Sequence, residues 1–230
     1  SGCRMTKAAT HPALIAYPKQ AAFGRTLPKN KIYEHSGAKS RLKGLFVDQV
    51  EQVVWQYKLA TETINLPATT DVTEIQIFTI QLKTPALHHD VLRCIDGAVL
   101  FPIIFELTHD AQTQVVAAYR RPNRADASRW VLSDYYSSAW LPADVVRDTM
   151  PVALDMGSLY GQMLQRLLPL ARREKESLDD LFERAEQVEV KQREMDKVAV
   201  RLAKEKQFNR KVEIKAVLRA LRSEIETLSR

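Results

Sequence analysis

Across the last quarter of the chain, from Ser177 to Arg230, there is neither glycine nor proline. Those two residues are the strongest local breakers of helices. Their absence predicts one continuous helix of about 53 residues, about 80 Å long at 1.5 Å per residue. Ser177 supplies an N-cap, and Asp179 and Asp180 stand in the first turn, where carboxylates favour the positive end of the helix dipole. A rod of this length needs something to lie against, because most helical stability comes from tertiary packing. Two apolar seams answer that need. The first runs Leu181, Ala185, Val188, Gln192, Met195, Ala199, Leu202, and the second Ile214, Leu218, Leu221, Ile225, Leu228. Both follow the alternating three-four steps of a coiled coil. Twelve residues separate Leu202 from Ile214, and no sum of alternating three-four steps reaches twelve. The two seams are therefore out of phase across Glu205–Lys211. A bend or a change of partner surface is expected there, in preference to a turn, because no glycine or proline is present.

Upstream the pattern changes. Residues 5–40 hold Pro12, Pro18, Pro28, Gly24 and Gly37 with little periodicity, which reads as an irregular arm. Leu45–Leu59 has Phe46, Val50, Val53, Val54 and Tyr57 at three- and four-residue steps and reads as a helix. Glu74–Lys83 is β-branched and largely alternating, a strand. Pro85 suits the first position of a helix through Val91, Leu92 and Ile95, with Gly97 as its stop. Phe101–Leu107 is almost wholly apolar, as in a strand buried on both faces. Gln114–Arg120 follows through a short hairpin link, and Trp130–Tyr136 is a fourth strand. Asp155–Leu170 reads as a further helix. The predicted fold class is α+β or α/β: a small mixed sheet with covering helices, followed by a long helical arm. Three segments result, an irregular arm (1–40), a head (41–150) and a helical arm (151–230).

Composition bounds the functional classes. Hydrophobic residues make up 45% and charged residues 27%, values that permit a packed core. The longest apolar run, Ala98–Phe105, is too short to cross a bilayer, and no apolar signal region follows the first basic residues. Met5 is the expected natural start, with Ser1–Arg4 a remnant. Of the two cysteines, Cys3 falls in that remnant, so no disulfide framework is expected and a reduced cytoplasmic home is. The net charge of +6 permits an acidic partner such as nucleic acid.

No phosphate-binding loop or nucleophile elbow is present, and no cofactor is expected. His88, His89, Asp90, Cys94, His109 and Asp110 lack the spacing of a metal site, so no metal is expected either. A metal-dependent nuclease would need converging carboxylates and a charge-stabilising lysine. The candidates for those roles are Glu74, Asp96, Glu106 and Lys83. Lys29, Lys31, Lys39, Arg41 and Lys43, with Tyr33 among them, form a basic stretch that could follow a phosphate backbone. Gln207, Asn209, Arg210 and Lys211 at the phase break, with Ile214, Leu218, Leu221 and Ile225, are the candidate partner-binding set.

Several stretches resemble one bacterial family, the domain of unknown function DUF4391. They are WQYKLATETINLP (55–67), EIQIFTIQLK (74–83), IDGAVLFPIIFEL (95–107), AAYRR (117–121), LPLARREKESL (168–178) and EKQFNRKVEIKAVLRAL (205–221). The resemblance implies an accessory role beside helicases and DNA methyltransferases in defence clusters, and it transfers no catalytic residue. The expected function is a non-catalytic subunit that docks such a partner, or a second copy of itself, through the arm. The alternatives are a restriction-type nuclease and a sequence-tolerant DNA-binding protein that uses the N-terminal basic stretch and a second one on the arm, where Arg201, Lys204, Lys206, Arg210, Lys211, Lys215, Arg219 and Arg222 outnumber Glu205 and Glu213.

Overall fold

The computed structural model describes residues 10–230, so the expected start at Met5 and the first residues of the irregular arm lie outside the described residues. The chain divides into two compact units, with the boundary after Leu167.

The first unit is built on a seven-stranded sheet in the order β2-β3-β4-β5-β6-β7, with a short β8 also pairing β6. The strands are β2 (Ala22–Thr26), β3 (Val50–Ala60), β4 (Glu74–Leu82), β5 (Ile103–His109), β6 (Gln112–Pro122), β7 (Trp130–Ser137) and β8 (Leu141–Pro142). All neighbours are antiparallel except β4 and β5. That parallel pair requires a crossover, which α4 (His89–Ala98) supplies. A separate parallel pair joins β1 (Thr10–Ala16) to β9 (Val146–Thr149).

The side-chain alternation of β4 explains why the sheet is covered on both faces. Phe78, Ile80 and Leu82 pack with Val91, Leu92 and Ile95 of α4 in the main core. The same core takes Ile32 of α1 (Lys29–Ser36) and Phe46 of α2 (Ser40–Gln49). Ile75 and Ile77 point the opposite way and are fully buried. On that side α5 (Met156–Gln165) packs against β4 and β6 and buries Met156, Leu159, Tyr160, Met163 and Leu164. The Tyr160 hydroxyl donates to the Ala118 carbonyl and accepts from the Arg120 amide, both at 3.0 Å, which ties α5 to β6.

Two expectations for this unit are corrected. Residues 45–59 are not one helix: α2 ends at Gln49 and β3 begins at Val50. Val50, Val53, Val54 and Tyr57 satisfy a helical spacing, but they are β-branched and aromatic, and pairing along the whole length of β4 decides for strand. From residue 10 onward the supposed irregular arm holds β1, β2 and α1, and Gly37 ends α1 in the left-handed conformation at φ 63°. Its prolines sit beside these elements, not within them, apart from Pro12 on the outer strand β1. The four strands placed from sequence at 74–83, 101–107, 114–120 and 130–136 correspond to β4–β7. The four-residue α3 (Thr61–Ile64) follows β3. α4 starts at His89, whose predecessor caps it, four residues beyond Pro85, and it runs through Gly97 to Ala98.

The second unit is a helical hairpin. α6 (Leu178–Lys204) and α7 (Phe208–Ser229) are joined by Glu205–Gln207 and pack along one another, antiparallel. The single rod expected from sequence is thereby corrected, and the segment does turn. The turn needs no glycine because its ends adopt ordinary extended backbone, φ −71° ψ 135° at Glu205 and φ −79° ψ 127° at Gln207. The Glu205 carboxylate accepts from the amides of Lys206 and Gln207, both at 2.8 Å, replacing helical partners that the break removes. Ser177 caps α6 as expected. In this hairpin the two out-of-phase seams become facing surfaces. Leu181, Ala185 and Leu221 are buried, and Val188, Met195, Leu202, Ile214, Leu218, Ile225 and Leu228 half-buried. Val198, outside the predicted seam, is buried, whereas Gln192 and Ala199 are exposed.

Candidate functional site

The four residues considered for metal-dependent cleavage do not converge. Glu74 opens β4 and Lys83 lies just past its end, about 30 Å apart along an extended strand. Glu74 accepts from the Gln76 side chain at 2.7 Å and faces Lys58 at 3.5 Å. Lys83 donates to the Val47 carbonyl at 2.8 Å. Glu106, in the middle of β5, is held by both terminal nitrogens of Arg147 at 2.7 and 2.8 Å, and Arg147 also donates to the Ile15 carbonyl. That fork is the partner of Glu106, and it ties β9 and β1 to the sheet. Asp96 is buried on α4 and accepts the Tyr135 hydroxyl. Burial pushes its carboxyl up to about 7, against the opposing pull of that hydrogen bond and of Arg120. Arg120 donates to the carbonyls of Asp96 and Val99 and leaves its buried Nε without a partner among the described residues.

The histidine cluster is likewise structural. His88 caps α4 by accepting the Asp90 amide at 3.1 Å, and His89 stacks on Tyr135 with centroids 5.2 Å apart. Cys94 is buried, and burial raises its thiol above the usual range. His109 contacts the Leu82 carbonyl at 3.2 Å. Among the described residues no group of three metal-ligating side chains comes together.

The N-terminal basic stretch is spread over α1 and α2, and most of it is engaged. Lys29 donates to the carbonyls of Phe46 and Val50, Lys31 pairs with Glu34, Arg41 with Asp90, and Lys43 lies over the Tyr33 ring. Tyr33 itself packs edge-on against Phe46. Lys39 precedes α2 and, with Arg41, lines a shallow hollow beside Ser36 and Cys94.

The hairpin is different. Its open end is locked by Arg184, which is 5% exposed: Nε and Nη2 bind the Glu176 carboxylate at 2.7 and 2.9 Å, and the guanidinium also donates to the carbonyls of Ala171 and Leu228. The Arg184 hydrogen bonds hold the Glu176 carboxyl down at about 2. No helical spacing in the sequence marks this pair. The turn end carries the other half of the candidate set. Gln207, Asn209 and Arg210 are exposed and Lys211 half-buried, while Ile214, Leu218, Leu221 and Ile225 lie at the less exposed positions of α7. The sequence shows Lys215, Arg219 and Arg222 as part of a basic run, but their alignment with Phe208 and Val212 in a second stripe was missed. Phe208, Val212, Lys215, Arg219 and Arg222 recur at four-three-four-three spacing, which puts them on one flank of α7. The last four of these, with Leu218, line a shallow groove of about 400 Å³. Phe208 is 77% exposed. The spacing was legible; its exposure was not, because a neighbouring heptad stripe had absorbed the pattern.

Together these features define an α+β protein: a mixed sheet with helices on both faces, and a helical hairpin whose turn end is exposed and basic. The chain belongs to the family described as Domain of unknown function (DUF4391), whose model matches residues 15–225 and so spans both units. No curated protein and no solved structure matches it. No helix among the described residues is long and apolar enough to cross a membrane.

Proposed function

We propose that this chain is a cytoplasmic, non-catalytic accessory subunit of a bacterial DNA-modification or anti-phage defence system, which docks a helicase or DNA methyltransferase partner through its helical hairpin. The observation that carries this reading is one flank of α7. Asn209, Arg210 and Val217 fall there, all exposed, and the polar pair has no side-chain hydrogen bond or ion pair among the described residues. An exposed valine two helical turns from polar side chains that make no hydrogen bond within the described residues suits a partner surface with a mixed apolar and polar contact. The head supports the same reading, since Glu74, Asp96, Glu106 and Lys83 each serve as a structural partner there.

The test is co-purification from the native host with the products of the adjacent genes, among which this reading expects a helicase or DNA methyltransferase. The triple variant Asn209→Ala, Arg210→Ala, Val217→Asp is expected to lose the partner with its melting temperature unchanged. Undiminished co-purification would sink the docking role.

A further inference from the structure

Charge is distributed very unevenly in this molecule. Residues 201–222, which run from the end of α6 through the turn into α7, hold eight lysines and arginines against two glutamates. That excess of six equals the formal net charge of +6 of the whole chain. Four cations elsewhere in the second unit are neutralised, Arg184 by Glu176, Lys191 by Glu224, Arg193 by Glu189 and Arg230 by Glu226, although Lys197 makes no ion pair among the described residues. At the turn end the cations are not neutralised. Lys211, Lys215, Arg219 and Arg222 make no ion pair among the described residues, and Glu205 has turned its carboxylate onto two backbone amides. Like charges at three- and four-residue steps weaken a helix, so this array does not serve the fold.

The array is ordered. Lys215, Arg219 and Arg222 stand about 6 and 4.5 Å apart along the helix axis, and Phe208 begins the same stripe about 21 Å from Arg222. A row of unpaired cations on one helix flank calls for a regularly spaced polyanion. The exposed Phe208 ring has no aromatic neighbour among the described residues, and a free ring in a basic track is suited to stack on an unpaired base. The stripe ends at Glu226, which Arg230 neutralises.

We propose that this flank of α7 binds single-stranded nucleic acid. Lys215, Arg219 and Arg222 contact successive phosphates, and Phe208 stacks on a base. The site goes beyond the docking reading and does not rest on it: it lies on the flank of α7 opposite Asn209, Arg210 and Val217, and it is tested on the purified chain alone.

The measurement is fluorescence anisotropy of a labelled oligothymidylate titrated with the full chain across a salt series. Three phosphate contacts give a slope of log affinity against log salt of about −2, at about −0.7 per contact on single strands. Lys215→Glu, Arg219→Glu and Arg222→Glu together are expected to weaken binding more than about tenfold and to flatten that slope, with the circular dichroism spectrum unchanged. Phe208→Ala alone, which leaves every charge in place, is expected to weaken single-strand binding about fivefold or more and to leave duplex binding unaltered. Absence of binding at low salt would overturn the proposal, as would a triple variant that binds like the parent. Phe208→Ala binding at parental strength, or duplex bound as tightly as single strand, would overturn the stacking assignment. Displacement by polyglutamate as effective as by unlabelled oligonucleotide would assign the flank to an acidic protein instead.

Discussion

Replacing Arg184 with methionine keeps the aliphatic volume of a nearly fully buried side chain and removes its charge and all four of its hydrogen bonds. Glu176 is then left as a carboxylate, 8% exposed, facing only the Arg173 amide, and the Leu228 and Ala171 carbonyls lose a charged donor. Removing one partner of a buried ion pair costs about 3–5 kcal/mol. Local opening of the hairpin should therefore become more than about a hundredfold easier, at 1.36 kcal/mol per factor of ten. Amide hydrogen exchange read by mass spectrometry is the appropriate assay, because it reports on the two compact units separately. The last turns of α7 and the first turns of α6 should lose protection, while β4 and β5 keep theirs. A pH series adds an independent check. Glu176 has its folded value depressed to about 2 from 4.5, so its stabilisation is complete above about 4.5 and is lost as pH falls towards 2. In the Arg184→Met variant that acid-dependent loss should vanish, and adding Glu176→Gln should recover part of the lost protection. Unchanged exchange in α7, or an acid dependence identical to the parent's, would refute the assignment of this clamp.

Two further outcomes follow from the head. Asp96 has its folded value raised to about 7 from 3.8, so its ionisation opposes folding: stability should fall between about pH 4 and 7 and level off above. Between pH 5 and pH 8 the difference against Asp96→Asn should approach about 3 kcal/mol by urea denaturation, and parallel profiles for the two proteins would rule out this role. Tyr160→Phe leaves the part-buried amide of Arg120 without its acceptor and the Ala118 carbonyl without its donor, and should cost about 1–3 kcal/mol in the same assay, whereas a loss below about 0.5 kcal/mol would show that α5 is not held through this hydroxyl.

Elements whose side-chain period is unambiguous can be read from consecutive residues alone. β5 was legible as an unbroken apolar run, β4 from its β-branched alternation, and α6 from a cap and a three-four repeat free of breakers. Local periodicity is written into consecutive residues, so it survives without knowledge of any partner. The remaining choices were made by contacts between residues distant in the chain. Val50, Val53, Val54 and Tyr57 fit both a helix stripe and a strand, and pairing with β4 made the choice. The two heptad seams looked like two surfaces for outside partners. A turn built from ordinary extended residues let them face each other, because burying one seam in the other satisfies both within the chain. The polar residues followed the same rule. Glu106 meets Arg147 across 41 positions and Arg184 meets Leu228 across 44, separations at which no spacing rule operates. What folding left unpaired, the basic flank of α7, is where the chain has charge to offer another molecule.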